Sequence, residues 1–257
     1  AFKCLLCLDI FSFDLSFLSF SVLTIDLTAI QNNWAQLNVL ASSAQVAGVI
    51  KANAYGLGAA QVGNALYSVG CREFFVATFE EGIAARVFLP AAAVIYVLGG
   101  VRHGMERSFT EARLIPVLCS VAAIKNWIKF NADLGITSPS AIKINSGMAR
   151  FGLDIDEFKM FCDDETLVKA SNPVLLMSHL ACADEPDHPL NISQRDIFLK
   201  CTSWIRCLKP GVRFSLANSS GIFLGGCWHF DLVRPGAALY GIAPQINIIN
   251  PMKGVVR

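Results

Sequence analysis

Lys51 and Tyr55 are the first residues whose types and spacing indicate chemistry. They lie in the stretch VAGVIKANAYGLGAA, at positions 46–60, where an apolar run ends at the lysine and a turn rich in glycine and asparagine follows. A lysine at the carboxyl end of a buried strand is partly desolvated, which favours the neutral amine that forms a Schiff base with an aldehyde cofactor. Tyr55 can present its phenol to a phosphate beside the next helix N-terminus, which favours anions. The alternative is an ordinary lysine whose stem covers apolar surface.

A second stretch, KINSGMARFGL at positions 143–153, supplies two further cations. Lys143 leaves a strand candidate, and Gly147 and Gly152 permit a tight path for the chain. Arg150 carries a planar charge that can hold a carboxylate or a phenolic oxygen. On its own such an arginine is more typical of the surface than of a binding site.

His179 follows another strand candidate, within MSHLACADEPDHPLNISQ at positions 177–194. It therefore points toward the same end of the sheet as Lys51, although a histidine at a strand end is more often a hydrogen-bonded structural residue than a catalyst. The acidic run that follows, DEPDH at positions 184–188, has irregular spacing and contains a proline, so a solvated loop explains it better than a metal site. We predict no metal.

Two further turns can bind a phosphate between them. Asn218 and Ser219 lie in SLANSSGI, at positions 215–222, where a strand turns into a helix with hydroxyl and backbone donors. Arg234 lies in DLVRPGAALYG, at positions 231–241, and the backbone N–H groups of Gly236 and Ala237 follow it. Each motif alone is usually just a turn.

These residues lie at the ends of regularly alternating elements. Eight apolar strand candidates occur at 46–50, 74–78, 93–98, 114–118, 141–145, 173–178, 212–216 and 231–233. Segments of helical composition occur at 59–68, 78–88, 121–134, 154–162 and 194–208. A further helix, capped by Thr28, precedes the first strand and has its apolar positions at Ile30, Trp34, Leu37 and Leu40. The alternation predicts an α/β fold, a closed (β/α)8 TIM barrel with its active site at the carboxyl ends of the strands.

Composition narrows the function classes. The chain of 257 residues is 54% hydrophobic and 16% charged, with a net charge of +1, which gives no electrostatic reason to expect nucleic acid or an anionic membrane as a partner. Its nine cysteines are scattered and odd in number, which indicates neither a disulfide framework nor a zinc site and favours the cytoplasm.

Residues 1–20 form an apolar segment interrupted by Asp9 and Asp14. The segment is too short to span a bilayer, and no clear cleavage site for a signal peptide follows. Between Phe11 and Phe17, aromatic and aliphatic residues alternate with serine and aspartate, which predicts a strand or an extension that packs poorly.

The motifs together resemble those of alanine racemases. The resemblance begins with LTIDLTAIQNNWAQLN at positions 23–38 and continues through VIKANAYGLG, KINSGMARFGL, SLANSSGI and DLVRPGAALYG. It implies a fold-type III barrel that binds pyridoxal 5'-phosphate and is an isomerase interconverting L-alanine and D-alanine, which supplies D-alanine for peptidoglycan.

The resemblance also implies roles for individual residues. Lys51 would be the catalytic residue that binds the cofactor covalently, and Arg150 would contact the substrate carboxylate and the phenolic oxygen. Lys143 matches a lysine that is carbamylated in many members and holds that arginine. Arg234 would hydrogen-bond the pyridine nitrogen, with His179 supporting it. The cofactor-binding residues would be Lys51, Tyr55, Leu98, Arg150, His179, Asn218, Ser219, Arg234, Gly236 and Ala237.

The resemblance further implies a domain division. We expect an extension over residues 1–22, the cofactor-binding barrel over residues 23–245, and the start of a C-terminal β domain over residues 246–257. In the family that domain supplies, across a homodimer, the tyrosine that acts on the face of the substrate opposite the lysine. The sequence stops where the domain would begin, so we expect a truncated form without that tyrosine and without an assured dimer.

Three other interpretations stay open. A non-catalytic barrel that carries pyridoxal phosphate would share the fold and the lysine, although the wording of KINSGMARFGL and SLANSSGI is closer to a racemase. A structural remnant would fail to bind the cofactor. A racemase of another amino acid is also compatible, because the substrate pocket is partly built outside the barrel.

Overall fold

The computed structural model describes residues 22–257, so the strand predicted between Phe11 and Phe17 lies outside the described residues. Its strands are all parallel and follow the chain order around a barrel. They are β1 (Gln45–Val46), β2 (Gly48–Val49), β3 (Glu73–Val76), β4 (Val94–Val97), β5 (Leu114–Leu118), β6 (Ser140–Lys143), β7 (Pro173–Met177), β8 (Arg213–Ser215) and β9 (Leu232–Val233).

The first predicted strand is divided at Ala47 because it pairs with a different neighbour on each side. Its first part, β1, pairs with β9, and its second part, β2, pairs with β3. Between β8 and β9 the hydrogen bonds Asp231 N–H to Phe214 O and Arg234 N–H to Ala217 O, both 3.0 Å, complete the circle. The predicted (β/α)8 barrel is therefore confirmed, with β1 and β2 as one barrel position.

Helices surround the strands. They are α1 (Leu27–Ala41), α2 (Lys51–Tyr55), α3 (Ala59–Ser68), α4 (Phe79–Phe88), α5 (Glu106–Glu111), α6 (Val121–Leu134), α7 (Ile155–Asp163), α8 (Glu165–Ser171), α9 (Pro189–Leu208) and α10 (Ser219–Ile222). The sequence prediction is right for α3, α4, α6 and α7 within one residue. It places the start of α9 five residues too late and does not include the short helices α5 and α8, which have little room for a periodic pattern.

The cap of α1 differs from the prediction. Asp26, not Thr28, is the N-cap, and its carboxylate accepts the N–H of Ala29 at 2.8 Å. Ile30, Trp34 and Leu37 are buried as predicted, but Leu40 is 42% exposed. Both residue types cap helices, so the choice rests on where the preceding chain enters. That entry is fixed by the bridge between residues 25 and 256.

The amino end of the barrel is closed by an ion pair between the buried Glu73 and the partly buried Arg213. The guanidinium of Arg213 donates two hydrogen bonds of 2.6 Å to the carboxylate of Glu73 and one of 2.9 Å to the hydroxyl of Tyr96. A fork-shaped pair of this kind fixes geometry more than it adds stability. The interior above it is apolar up to the carboxyl ends of the strands, where the polar residues gather.

The segment after β9 returns to the start of the barrel. The N–H of Thr24 and the N–H of Arg257 each donate to the carbonyl of the other residue, at 2.9 and 3.0 Å. Met252 and Val255 are buried in the cluster between the barrel and its helices. Among the described residues, no helix is long and apolar enough to cross a membrane.

Candidate active site

A cavity of about 480 Å³ opens at the carboxyl ends of the strands. This volume lies in the usual range for ligand pockets, roughly 300–1,000 Å³. All the residues predicted from the sequence to bind the cofactor or substrate line it, together with the lysine predicted to be carbamylated, Lys143. The binding residues are Lys51, Tyr55, Leu98, Arg150, His179, Asn218, Ser219, Arg234, Gly236 and Ala237. The structure thus brings together side chains that are up to 186 positions apart in the sequence.

Lys51 begins a left-handed helical turn. Ala52, Asn53, Ala54 and Tyr55 all have φ between 51° and 57°, a region that costs a non-glycine residue roughly 1–2 kcal/mol. Backbone hydrogen bonds from Ala54 to Ile50 and from Gly56 to Ala52, both 2.9 Å, close the turn. The turn carries Tyr55 back beside the lysine, with 5.8 Å between the Lys51 Nζ atom and the centre of the phenol ring. The sequence predicted unusual backbone angles here, but not at the two alanines.

Tyr55 is held from behind by Tyr240, whose ring centre is 4.7 Å away. Burial raises the pKa of the Tyr55 phenol, so the hydroxyl remains a donor at neutral pH. Gly236 faces this hydroxyl so closely that a Cβ atom at position 236 would overlap it. Tyr55 and Gly236 therefore form one wall of a polar recess that a side chain at position 236 would fill.

Ser219 lies at the bottom of that recess. Its hydroxyl oxygen accepts the N–H groups of Gly236 at 2.9 Å and of Ala238 at 3.1 Å. The N–H of Gly236 is therefore directed at Ser219, which differs from its predicted role as a direct phosphate donor. Because two N–H groups polarise the hydroxyl, its own proton is a good donor to an anion in the recess.

Arg234 is 4% exposed and is fixed by main-chain and side-chain oxygens. It donates to the hydroxyl of Ser215 and to the carbonyls of Ser178 and Leu216. Within residues 22–257 these bonds use three of its five N–H donors, and the side chain lines the cavity. Burial lowers the pKa of Arg234 to about 9, which still leaves it protonated at neutral pH. Arg234 is thus a fixed cation facing the cavity, and oxygens rather than His179 hold it there.

His179 is a neutral residue in this site. Burial lowers its pKa to about 3, and the neighbouring charges act in the same direction: Arg234, Lys143, Arg150 and Lys51. The amide nitrogen of Asn218 lies 3.4 Å from the Nε2 atom of His179 and 3.1 Å from the carbonyl of Leu180. The amide donates to both, so Nε2 accepts and the ring proton is on Nδ1. Asn218 thus orients His179 while its own oxygen caps α10.

Lys143 is 7% exposed at the end of β6. Burial lowers its pKa to about 8; the charges of Arg234, Arg150 and Lys51 act in the same direction, and Cys119 opposes them. A lysine with this pKa has a substantial neutral fraction at physiological pH, so its amine is nucleophilic.

Arg150 is exposed at the rim, on a short loop closed at its base. The N–H of Asn145 donates to Leu153 at 2.7 Å, and the N–H of Leu153 donates to Lys143 at 2.9 Å. Gly152 is required in this loop, because its φ is +124° and a Cβ atom there would meet the backbone of residues 143–145 at 2.6–2.9 Å. The loop therefore projects Arg150 over the cavity from a fixed base.

Several residues of the site were not predicted from the sequence. Phe75, Phe151 and Met177 also line the cavity, and Ser215 holds Arg234. Met177 comes near the carboxyl end of its strand candidate, which is the signal that could have identified it, whereas Phe75 lies near the start of the candidate at 74–78. Among residues 22–257, no group of three or more metal-binding side chains is placed to hold an ion.

The charge of the cavity is one-sided. Its lining includes Lys51, Lys143, Arg150 and Arg234 but no aspartate or glutamate. Clustered cations without counter-ions favour ligands with several negative charges, such as a phosphate together with a carboxylate. The arrangement is suited to an anionic cofactor that carries an aldehyde toward Lys51.

Comparison with known proteins agrees with this geometry. The profile of the family described as alanine racemase, N-terminal domain, matches residues 25–244. The chain is 48% identical over 238 residues to an alanine racemase of Rhodospirillum rubrum, covering 92% of this chain and 63% of that protein. It is 46% identical to a catabolic alanine racemase of Mesorhizobium japonicum, covering 92% of this chain and 61% of that protein.

Solved structures show the same fold. Alanine racemase from Bartonella henselae, solved with covalently bound pyridoxal phosphate, superposes with a TM-score of 0.86 at 36% identity, covering 91% of this chain and 67% of that one. Alanine racemase from Streptomyces coelicolor superposes with a TM-score of 0.84 at 30% identity, covering 91% and 64%. The chain spans 61–63% of the length of the two curated relatives described above. On its fold, its site and these matches, the chain belongs to the alanine racemase family, through that family's N-terminal domain.

Proposed function

We propose that this chain is the cofactor-binding barrel of an alanine racemase, which interconverts L-alanine and D-alanine with pyridoxal 5'-phosphate. The observation that carries the proposal is the single cavity in which Lys51, Tyr55, Ser219 and Arg234 converge without a carboxylate. When bound here, pyridoxal phosphate would make the α-proton of an amino acid acidic once that amino acid has replaced the lysine on its aldehyde, because the ring delocalises the electrons that proton removal leaves. The racemases to which the chain is similar support alanine as the substrate.

The residues fit this cofactor. The recess between Tyr55 and Gly236 offers a phenol and the polarised hydroxyl of Ser219, which are donors suited to a phosphate. Lys51 lines the same cavity and would take the aldehyde. Leu98, Asn218 and Ala237 complete the predicted wall.

Arg234 would meet the pyridine nitrogen. A fixed cation opposes protonation of that nitrogen, and Arg234 has no carboxylate among its hydrogen-bond partners in the described part of the chain. An unprotonated ring withdraws electrons less strongly than a protonated one. This limits side reactions and suits racemisation better than transamination.

Lys51 would move the proton on one face of the α-carbon, with Arg150 holding the substrate carboxylate. Inversion needs a second acid or base on the other face. We propose that the family's tyrosine does this, supplied across a homodimer by a C-terminal β domain that would begin within residues 246–257, after a barrel that spans residues 23–245.

Lys143 would be carbamylated. Its pKa of about 8 leaves enough neutral amine to add carbon dioxide, and the resulting anion would lie among Arg234, Arg150 and Lys51. Nuclear magnetic resonance with ¹³C-bicarbonate should give a carbamate signal that is lost in Lys143→Met. Persistence of the signal in that variant would refute the assignment.

The proposal includes a cellular role. D-alanine would serve peptidoglycan synthesis, and the compartment would be the cytoplasm, because reducing compartments favour free thiols such as those of Cys71, Cys119, Cys162, Cys182 and Cys201.

Exchange of the α-proton tests the reaction. The protein would be loaded with pyridoxal phosphate and given D-alanine or L-alanine separately in deuterated buffer, with deuterium uptake and chirality followed together. We expect deuterium uptake from the enantiomer whose α-proton faces Lys51, and from both enantiomers where the second acid or base is also present. Uptake with inversion would establish racemisation. Uptake from D-alanine with retained configuration would show that Lys51 exchanges the proton on its own face of the α-carbon and that no group acts on the other face. Covalent attachment without any exchange would favour a cofactor carrier and contradict the proposal.

A further inference from the structure

The carboxylate of Glu81 joins two backbone segments at the mouth of the barrel. One of its oxygens accepts the N–H of Ala52 at 2.8 Å, and the other accepts the N–H of Ala77 at 2.6 Å. Ala52 directly follows Lys51 and opens the left-handed turn. Ala77 directly follows β3 and lines the cavity. One side chain on α4 therefore fixes the peptide beside the lysine relative to the neighbouring strand.

This contact replaces the one that local sequence would predict. Thr78 is the N-cap of α4 and accepts the N–H of Glu81 at 3.3 Å, which is half of a capping box. In a complete box the glutamate returns to the N–H of the cap residue. At α7 this occurs: Glu157 accepts the N–H of Asp154 at 3.1 Å and donates its own N–H to Asp154 at 2.7 Å. Glu81 instead reaches out of its helix, and so it serves the turn rather than its own helix.

The turn needs an external partner. Four successive non-glycine residues in the left-handed region are disfavoured by sterics, so surrounding contacts must hold them. Backbone hydrogen bonds to a carboxylate are stronger than those to a neutral acceptor. The bond from Ala52 acts at the first of these residues, where the chain changes hand directly after Lys51.

We propose that Glu81 is a positioning residue for Lys51, which sets the direction of the lysine by anchoring the left-handed turn to the end of β3. The inference rests on the proposed function, since the lysine is the group that would bind the cofactor. Glu81 does not line the cavity and acts through the Ala52 peptide.

Two measurements on the full chain test the role. The first is amide hydrogen exchange at Ala52 and Ala77, without cofactor. The second is the rate and pH profile of covalent attachment of pyridoxal phosphate to Lys51, read by borohydride reduction and peptide mass spectrometry. The variants are Glu81→Gln, which keeps at most one acceptor, and Glu81→Ala, which keeps none. Glu157→Ala is the matched control, because it removes a glutamate at the same position of another helix, and Glu157 does not line the cavity.

We expect both amides to exchange about tenfold faster in Glu81→Ala, and attachment at Lys51 to slow about tenfold with a shifted pH profile. Glu81→Gln should be intermediate, and Glu157→Ala should match the parent protein. If Glu81→Ala does not fold, Glu81→Gln carries the comparison. Unchanged exchange at Ala52 in Glu81→Gln and Glu81→Ala would overturn the inference even if the parent attaches cofactor. Failure of the parent to attach cofactor at Lys51 would instead count against the proposed function.

Discussion

The hydroxyl of Tyr240 donates a hydrogen bond of 2.8 Å to the carbonyl of Val49, although 191 positions separate the two residues. Val49 is the last residue of β2, and Lys51 follows two positions later. The ring of Tyr240 also packs on Tyr55. Tyr240, which follows the last strand, therefore stabilises both the strand that presents Lys51 and the phenol of Tyr55 beside it.

Tyr240→Phe should destabilise the protein because it leaves the buried carbonyl of Val49 without this donor. A lost buried hydrogen bond of this kind costs roughly 1–3 kcal/mol. Urea unfolding measures the change. Tyr67→Phe is the control. It changes a half-buried tyrosine of α3 and should leave the free energy of unfolding nearly unchanged. Equal stability of the two variants would show that the bond to Val49 contributes little.

Lys51→Ala should abolish covalent attachment of pyridoxal phosphate, because no amine would remain at that end of β2. Borohydride reduction followed by peptide mass spectrometry locates the adduct. Lys125→Ala removes an exposed lysine from α6 and should keep the adduct. An adduct on Lys143 or another lysine of the parent protein would refute the assignment of Lys51.

Gly236→Ala should weaken cofactor binding without a large loss of stability. Its φ is −123°, outside the left-handed region that favours glycine, but the added methyl group would overlap the Tyr55 hydroxyl. We expect the dissociation constant of pyridoxal phosphate to rise by about tenfold or more, since a displaced wall costs on the order of 1–3 kcal/mol. Equilibrium titration measures it, and Gly226→Ala, where a Cβ atom meets nothing within 4 Å, is the control. Equal affinity in both variants would exclude a tight recess at position 236.

His179 should stay neutral in the folded protein through weakly acidic pH. Its folded pKa of about 3 lies below the ordinary 6.5, so the folded state binds fewer protons than the unfolded state between these values. The neutral His179 ring therefore contributes to the stability of the folded state above about pH 6.5, and this contribution is lost as the pH falls toward 3. Nuclear magnetic resonance should show no titration of the His179 ring near pH 6.5. A titration of that ring near pH 6.5 would contradict the prediction.

Lys143 should make stability rise at alkaline pH. The pKa of Lys143 in the folded state, about 8, lies below the ordinary value of 10.5. Between these two pH values the unfolded state binds more protons than the folded state. The free-energy penalty of burying the cation therefore disappears as the pH rises through this range. Urea unfolding of the parent and Lys143→Met in buffer free of carbon dioxide measures the slope. The slope should be smaller in Lys143→Met, and identical slopes would show that Lys143 is solvated like a surface lysine.

The sequence alone determined the alternation of strands and helices and which residues stand at strand ends. Both depend on local patterns, since an apolar run followed by an amphipathic helix predicts one unit of a barrel. Once the order of strands is given, parallel pairing brings Lys51, Arg150, His179 and Arg234 to one end. That is why the predicted site residues all line one cavity.

The tertiary structure decided how these residues are held. The left-handed turn after Lys51, the diversion of Glu81 to Ala52, and the bond from Gly236 to Ser219 each depend on a partner from a distant part of the chain. Local composition favours a capping box between Thr78 and Glu81 and a free N–H at Gly236. In the folded chain the Glu81 carboxylate instead accepts the N–H of Ala52, and the N–H of Gly236 is donated to Ser219. Such choices follow from long-range geometry, because a buried polar group bonds to the partner that the fold brings within reach.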